Sequence, residues 1–195
     1  MRIIRDVGYI LLSNLITITV SFFYFPLLVK FYGFSSEYFG GFQYIQSTIG
    51  VIAAFSGIAM DVAYISERKT HTEEERTNFT TWFFLIAISI QLFSILFWAL
   101  ISKDSSFAVF GPVISISLVF NSVIQLLLRD QKEFRLLSAA IIVQSVANVA
   151  FGLIIGFFVR SEATLIFAAS LGNVVSGGFL ILNKKISFRF SNPDK

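Results

Sequence analysis

The residues able to do acid–base or metal chemistry are few in this chain and stand apart. There is a single histidine, His71, and no cysteine. Glu73, Glu74 and Glu75 follow His71, but consecutive glutamates splay around a helix instead of converging on an ion. Thr72 and Glu75 stand at capping-box spacing, and acids favour a helix start, so the segment reads as a solvated loop entering a helix. No Gly-rich loop leads into a Lys-Ser or Lys-Thr pair, and no carboxylate pair lies inside an apolar stretch. Nucleotide hydrolysis, metal catalysis and general acid–base catalysis therefore lack their usual parts. The sequence reads as a non-enzyme, with no catalytic residue, metal site or cofactor.

The polar residues that recur at regular steps inside the apolar runs are neutral, and charge stands only where two of the series end. Gln43, Gln46, Gly50, Gly57 and Asp61 fall three, four or seven apart, and Ser117, Asn121, Gln125 and Arg129 fall four apart. Gln144, Asn148, Gly152 and Gly156 repeat the four-residue step, Asn14, Thr17 and Ser21 form a shorter series, and Ser170, Asn173 and Gly177 another. On helices these series make stripes, and amides are costly against lipid, so the stripes are expected to face inward. Two readings follow. Small residues and amides join membrane helices to one another, or they line a wet path for a polar solute. Asp61 and Arg129 end two stripes, where they either meet a charged head group or sit as ordinary interface residues. The candidate path residues are Asn14, Gln43, Gln46, Asp61, Asn121, Gln125, Arg129, Gln144, Asn148 and Asn173.

Membrane helices must carry these stripes. Hydrophobic residues make up 55% of the 195, with 24 Phe, and only 14% are charged, too little charge to cover a soluble domain of this size. Six runs of 21 to 26 residues contain no charge, bounded by Asp6 and Lys30, Glu37 and Asp61, Arg76 and Lys103, Asp104 and Arg129, Arg135 and Arg160, and Glu162 and Lys184. At 1.5 Å per residue each run spans roughly 31–39 Å, enough for a hydrocarbon core of about 30 Å. The expected spans are 7–29, 38–60, 77–102, 105–128, 136–159 and 163–183, within one domain over residues 1–195. A β-barrel strand alternates over about ten residues, and these runs do not. The first run is too long for a signal peptide and has no small-x-small cleavage site, so it reads as a retained signal-anchor. With short connections, consecutive helices are expected to pack as antiparallel hairpins.

Lys and Arg set the orientation. Twelve of the fifteen lie at the N-terminus (Arg2, Arg5), in the second connection (Arg68, Lys69, Arg76), in the fourth (Arg129, Lys132, Arg135) and in the tail (Lys184, Lys185, Arg189, Lys195). The alternate connections hold only Lys30, Lys103 and Arg160. The basic gaps belong in the cytosol, which puts both ends there. The basic excess therefore marks membrane orientation and not a nucleic-acid partner. Trp82 and Trp98, about 24 Å apart along a helix, suit the two interfacial belts.

The segment from Tyr24 to Gly33, with Pro26 and Lys30, and the segment from Glu37 to Ser47, opening Glu37-Tyr-Phe-Gly40, resemble the first hairpin of bacterial polysaccharide exporters. In that family a Pro closes the first helix, a basic residue and Gly follow, and an acidic–aromatic–Gly turn opens the second. Gly57 to Tyr64 is similar to the family's end of helix two. Asn121 to Phe134 and Arg135 to Asn148 are similar to its fourth and fifth helices and the basic turn between them. The resemblance covers nearly all of the chain. It implies the polysaccharide transport branch of the multidrug/oligosaccharidyl-lipid/polysaccharide exporter superfamily, which includes O-antigen flippases.

The resemblance implies one lobe of a two-lobe exporter fold, here the N-terminal six-helix lobe, as a truncated frame, a fragment or a half that pairs with another chain. The implied activity is flipping of undecaprenyl-pyrophosphate-linked oligosaccharide for surface polysaccharide or O-antigen biosynthesis, in the bacterial inner membrane. Partners would be the lipid bilayer, the lipid-linked oligosaccharide, and a second six-helix lobe or another copy of the chain. The other readings are a non-transporting membrane scaffold or accessory subunit of a polysaccharide assembly complex, and a cation-coupled drug exporter. The last is weakened by the lack of any acid in the middle of a span.

Overall fold

The structure, a computed structural model, describes residues 2–67, 73–102, 105–130 and 132–184. Six helices follow one another: α1 (Arg2–Tyr32), α2 (Ser36–Glu67), α3 (Glu73–Ser102), α4 (Ser105–Asp130), α5 (Phe134–Phe158) and α6 (Glu162–Lys184). No strand occurs among the described residues. In hydrocarbon every backbone donor and acceptor must be satisfied within the segment, and these apolar runs do so as helices. Their hydroxyls follow the same rule. Thr19 donates to the carbonyl of Leu15, Thr48 to Tyr44, Ser89 to Leu85 and Ser94 to Ile90, at 2.8–2.9 Å.

Five helices have a described stretch long and apolar enough to cross a membrane: Asp6–Tyr32, Thr81–Ile101, Phe107–Arg129, Phe134–Phe158 and Glu162–Asn183. α2 covers the remaining expected span, although its side chains from 54 onward lie outside the described residues. So do residues 68–72 with His71 and Thr72, the surroundings of Gly57, and the side chains of Asp61, Glu73 and Glu74.

Two helix ends show how short connections are closed. Gly33 sits in the left-handed region (φ 67°) and its N–H bonds the Val29 carbonyl at 3.2 Å, which stops α1. After α4, Lys132 adopts φ 58°, its N–H bonding Arg129 at 3.1 Å while the N–H of Glu133 reaches Leu128 at 2.9 Å. That is a Schellman motif built on lysine instead of glycine. Pro26, expected to close the first helix, lies inside α1, which continues for six more residues. The proline removes one backbone bond without ending the helix, because the flanking apolar residues and the Gly33 cap still favour helix.

One packing expectation is overturned. α3 packs on α4 and α5 on α6, but α1 and α2 make no close backbone contact among the described residues. α1 docks on α5, while α2 packs on α3, α4 and α6. The helices of the first pair meet through rings near their shared turn, Phe25 against Phe39 at 5.0 Å edge-on. The reason lies in the residues at α5. Gly152 gives the Tyr24 hydroxyl a place that any Cβ would occupy, so α1 can seat closely on α5.

The largest apolar cluster, with Leu28, Phe34, Ile45, Ile49, Ile95, Phe107 and Ile166 nearly inaccessible, gathers at the end of the bundle holding the α1–α2, α3–α4 and α5–α6 connections. Gly33 faces the Arg160 guanidinium at this end, 3.7 Å from where a Cβ would stand. Here too Trp98 donates to the Tyr44 hydroxyl at 3.2 Å. Leu11, Leu15, Ile18 and Phe22 share the outer face of α1 and are all exposed, as lipid contact requires.

Candidate functional site

Because α1 stands off from α2, a cavity of about 240 Å³ opens between α1, α2, α5 and α6. Its polar lining comes from Thr17, Ser21 and Tyr24 on α1, Gln43 and Gln46 on α2, and Ser145 and Asn148 on α5. Phe25, Phe42, Val149 and Leu165 are among its apolar walls, and no charged residue lines it among the described residues. Counted along the helices, Gln43, Tyr24 and Asn148 lie about 10–15 Å from the Ser36, Tyr32 and Phe158 ends. The cavity thus sits inside the hydrocarbon slab, nearer the end with the α1–α2 connection.

Its hydrogen bonding is incomplete. Ser145 donates to the Ile141 carbonyl at 3.0 Å, which leaves its oxygen to accept from Thr17 at 2.8 Å and ties α1 to α5. The Tyr24 hydroxyl and the Asn148 Oδ1, by contrast, are buried with no partner among the described residues. Asn148 is pressed onto Gly172 of α6, where a Cβ would collide with it. Gln43 and Gln46 are exposed at the rim.

A second polar group lies deeper, about 16–24 Å from the Ser105, Phe158 and Glu162 ends. Asn121 Nδ2 donates to Gln144 Oε1 at 3.1 Å, and Gln144 Nε2 donates to Asn173 Oδ1 at 2.6 Å. Asn173 Nδ2 in turn reaches the Ser117 hydroxyl at 3.3 Å. Three helices, α4, α5 and α6, are joined by this cluster, in which Asn121 and Asn173 are each only 3% exposed. Amides that spend their bonds on each other act as interhelical ties.

The ten candidate residues accordingly separate. Asn121, Gln144 and Asn173 come together in the cluster; Gln43, Gln46 and Asn148 come together at the cavity. Gln125 is half-buried on α4 in neither group, and Arg129 is exposed in the last turn of α4. The Asp61 side chain lies outside the described residues. Asn14, Gln43 and Gln46, expected to face inward, are exposed; Gln43 and Gln46 look into the gap that α1 leaves beside α2 and not into a helix pair.

Two features escaped the reading of the sequence. Tyr24 stands among Phe residues and reads as core; only its match with Gly152 marks it. Gln91, 4% exposed, accepts a hydrogen bond from Ser115 between α3 and α4. A lone amide in so apolar a run was the signal for that pair.

Six helices, five of them demonstrably apolar enough to cross a bilayer, with buried amides between them, define an all-α, multi-pass membrane protein. The model of the polysaccharide biosynthesis protein family matches residues 3–195, and the chain belongs to that family. No curated protein and no solved structure matches it.

Proposed function

We propose that this chain is one lobe of a transporter that flips a polyprenyl-pyrophosphate-linked oligosaccharide across the bacterial cell membrane, for surface polysaccharide or O-antigen assembly. Family membership supports a place in polysaccharide biosynthesis. The observation that carries the carrier reading is the uncharged, polar-lined cavity inside an apolar bundle, rimmed by Gln43 and Gln46. A sugar hydroxyl without a partner costs roughly 2–7 kcal/mol in hydrocarbon, so several together cannot cross unaided. A wet surface of amides and hydroxyls lowers that barrier, while the polyprenyl tail stays in lipid.

In this reading both chain ends are cytosolic, and the exposed flank of α1 and α2 faces a second six-helix lobe, supplied by more chain, another chain or another copy. The cavity residues contact the glycan, and the Asn121–Gln144–Asn173 cluster holds α4, α5 and α6 in register behind it. The test is export of lipid-linked glycan by a complete two-lobe transporter carrying Gln43→Leu, Gln46→Leu and Asn148→Leu together. At least a tenfold fall per folded molecule is expected, and export at the unsubstituted rate would remove the carrier role.

A further inference from the structure

One carboxylate bridges α2 and α6 just beyond the cavity. α6 opens with Glu162, and Leu165 and Ala169, at three- and four-residue steps along the same face, line the cavity. On α2, Gly41 precedes the lining residues Phe42 and Gln43. The Glu162 carboxylate rests on Gly41, in the place that a Cβ would take. Both residues lie nearer the connection end of the bundle than the cavity does.

Arg160 makes a second contact of this kind. Its guanidinium lies beside Gly33, where α1 ends and a cation is favoured, while Glu162 stands in the first turn of α6, where an acid is favoured. The α5–α6 connection thereby straps the α1–α2 connection, with one charged side chain at each glycine. The fastening is light. α2 packs less on α6 than on α3 or α4, and α1 makes no close backbone contact with α2. Among the described residues, neither the Arg160 nor the Glu162 side chain is held by a hydrogen bond or ion pair.

We propose that the contact of Glu162 with Gly41 is a gate. Seated, it shuts the cavity off from the connection end; lifted, it lets α2 part from α6 there, taking Phe42 and Leu165 apart with their helices. The basic gaps put that end outside the cytosol, so the gate would release the sugar head group. What passes through it rests on the carrier reading.

The chain has no cysteine, so introduced thiols meet no background. A Cβ on Gly41 would stand 3.8 Å from that of Glu162, the usual separation in a disulfide. Gly41→Cys with Glu162→Cys, in nanodiscs, should cross-link in at least half the molecules on mild oxidation, and a smaller yield overturns the contact. The gate is read in protein carrying Gln43→Cys alone, from the rate at which a charged methanethiosulfonate in water modifies the thiol. Adding Glu162→Ala, or separately Gly41→Ala, should raise that rate at least threefold. Gly41→Ala displaces the carboxylate, keeps its charge and favours helix, so the fold is retained. A smaller rise in either variant overturns the gate.

Flipping of a fluorescent lipid-linked oligosaccharide by the complete transporter with the same cysteine pair separates the two proposals. A fall of at least tenfold on oxidation, reversed by reduction, supports both. Undiminished flipping by cross-linked protein sinks the gate and leaves the carrier. No flipping by reduced or unsubstituted protein, with labelling raised as expected, sinks the carrier reading and leaves the gate.

Discussion

At the scale of single residues, Gln144 and Asn148 show how neighbours on one stripe part company. A four-residue step moves about 6 Å along the axis and turns about 40° around it. That turn is enough to send Gln144 to the amides of α4 and α6, and Asn148 to Gly172 and the cavity. Periodicity in the sequence shows which face a residue occupies, not which helix that face meets, so joining residues and cavity residues could not be separated before the fold. The cluster gives a sharp expectation. Asn173→Leu strands the Gln144 Nε2 donor and should cost about 1–2 kcal/mol, the range for buried or intramembrane hydrogen bonds. Replacing all three amides by Leu should cost less than the three single changes summed, since no partner is then left unpaired. Unfolding midpoints in detergent measure both, and strict additivity would show that the amides do not act together.

At the scale of elements, the helices were legible because charge is excluded from hydrocarbon and therefore marks every boundary. Their ends were less so. α1 and α2 run past the expected spans to Arg2 and Glu67, since a helix carries charged residues readily once outside the apolar slab. The pairing of α1 with α5 was not legible at all: a three-residue connection predicts a hairpin, and the match of Tyr24 with Gly152 acts across more than a hundred residues. The α4–α5 connection offers a test of local geometry. Lys132 holds the left-handed conformation that glycine adopts freely, at a cost of about 1 kcal/mol for an L side chain. Lys132→Gly should raise the unfolding free energy by about that amount, read from the shift of a thermal or denaturant midpoint. A drop in stability would mean the turn is not held as described.

At the scale of the whole molecule, the alternation of basic and basic-poor gaps predicts an orientation. The α1–α2 and α5–α6 connections share one end, where Gly33 lies beside Arg160. Reporter fusions after Gly33 and after Arg160 should therefore register outside the cytosol. Fusions after Lys69 and after Lys132 should register inside it. Any of the four on the opposite side would undo the six-crossing layout.

The docking of α1 on α5 also has a consequence for how the protein is made. Thr17 and Ser145 bond across 128 positions of sequence, so α1 has its main neighbour only after four more helices have been synthesised. Until then α1 lies in lipid without α5, with Ser13 and Thr19 served by its own backbone. Contacts this distant in sequence form late and slowly. The cavity is therefore absent from the nascent protein and comes into being only when α5 and then α6 arrive to close its walls.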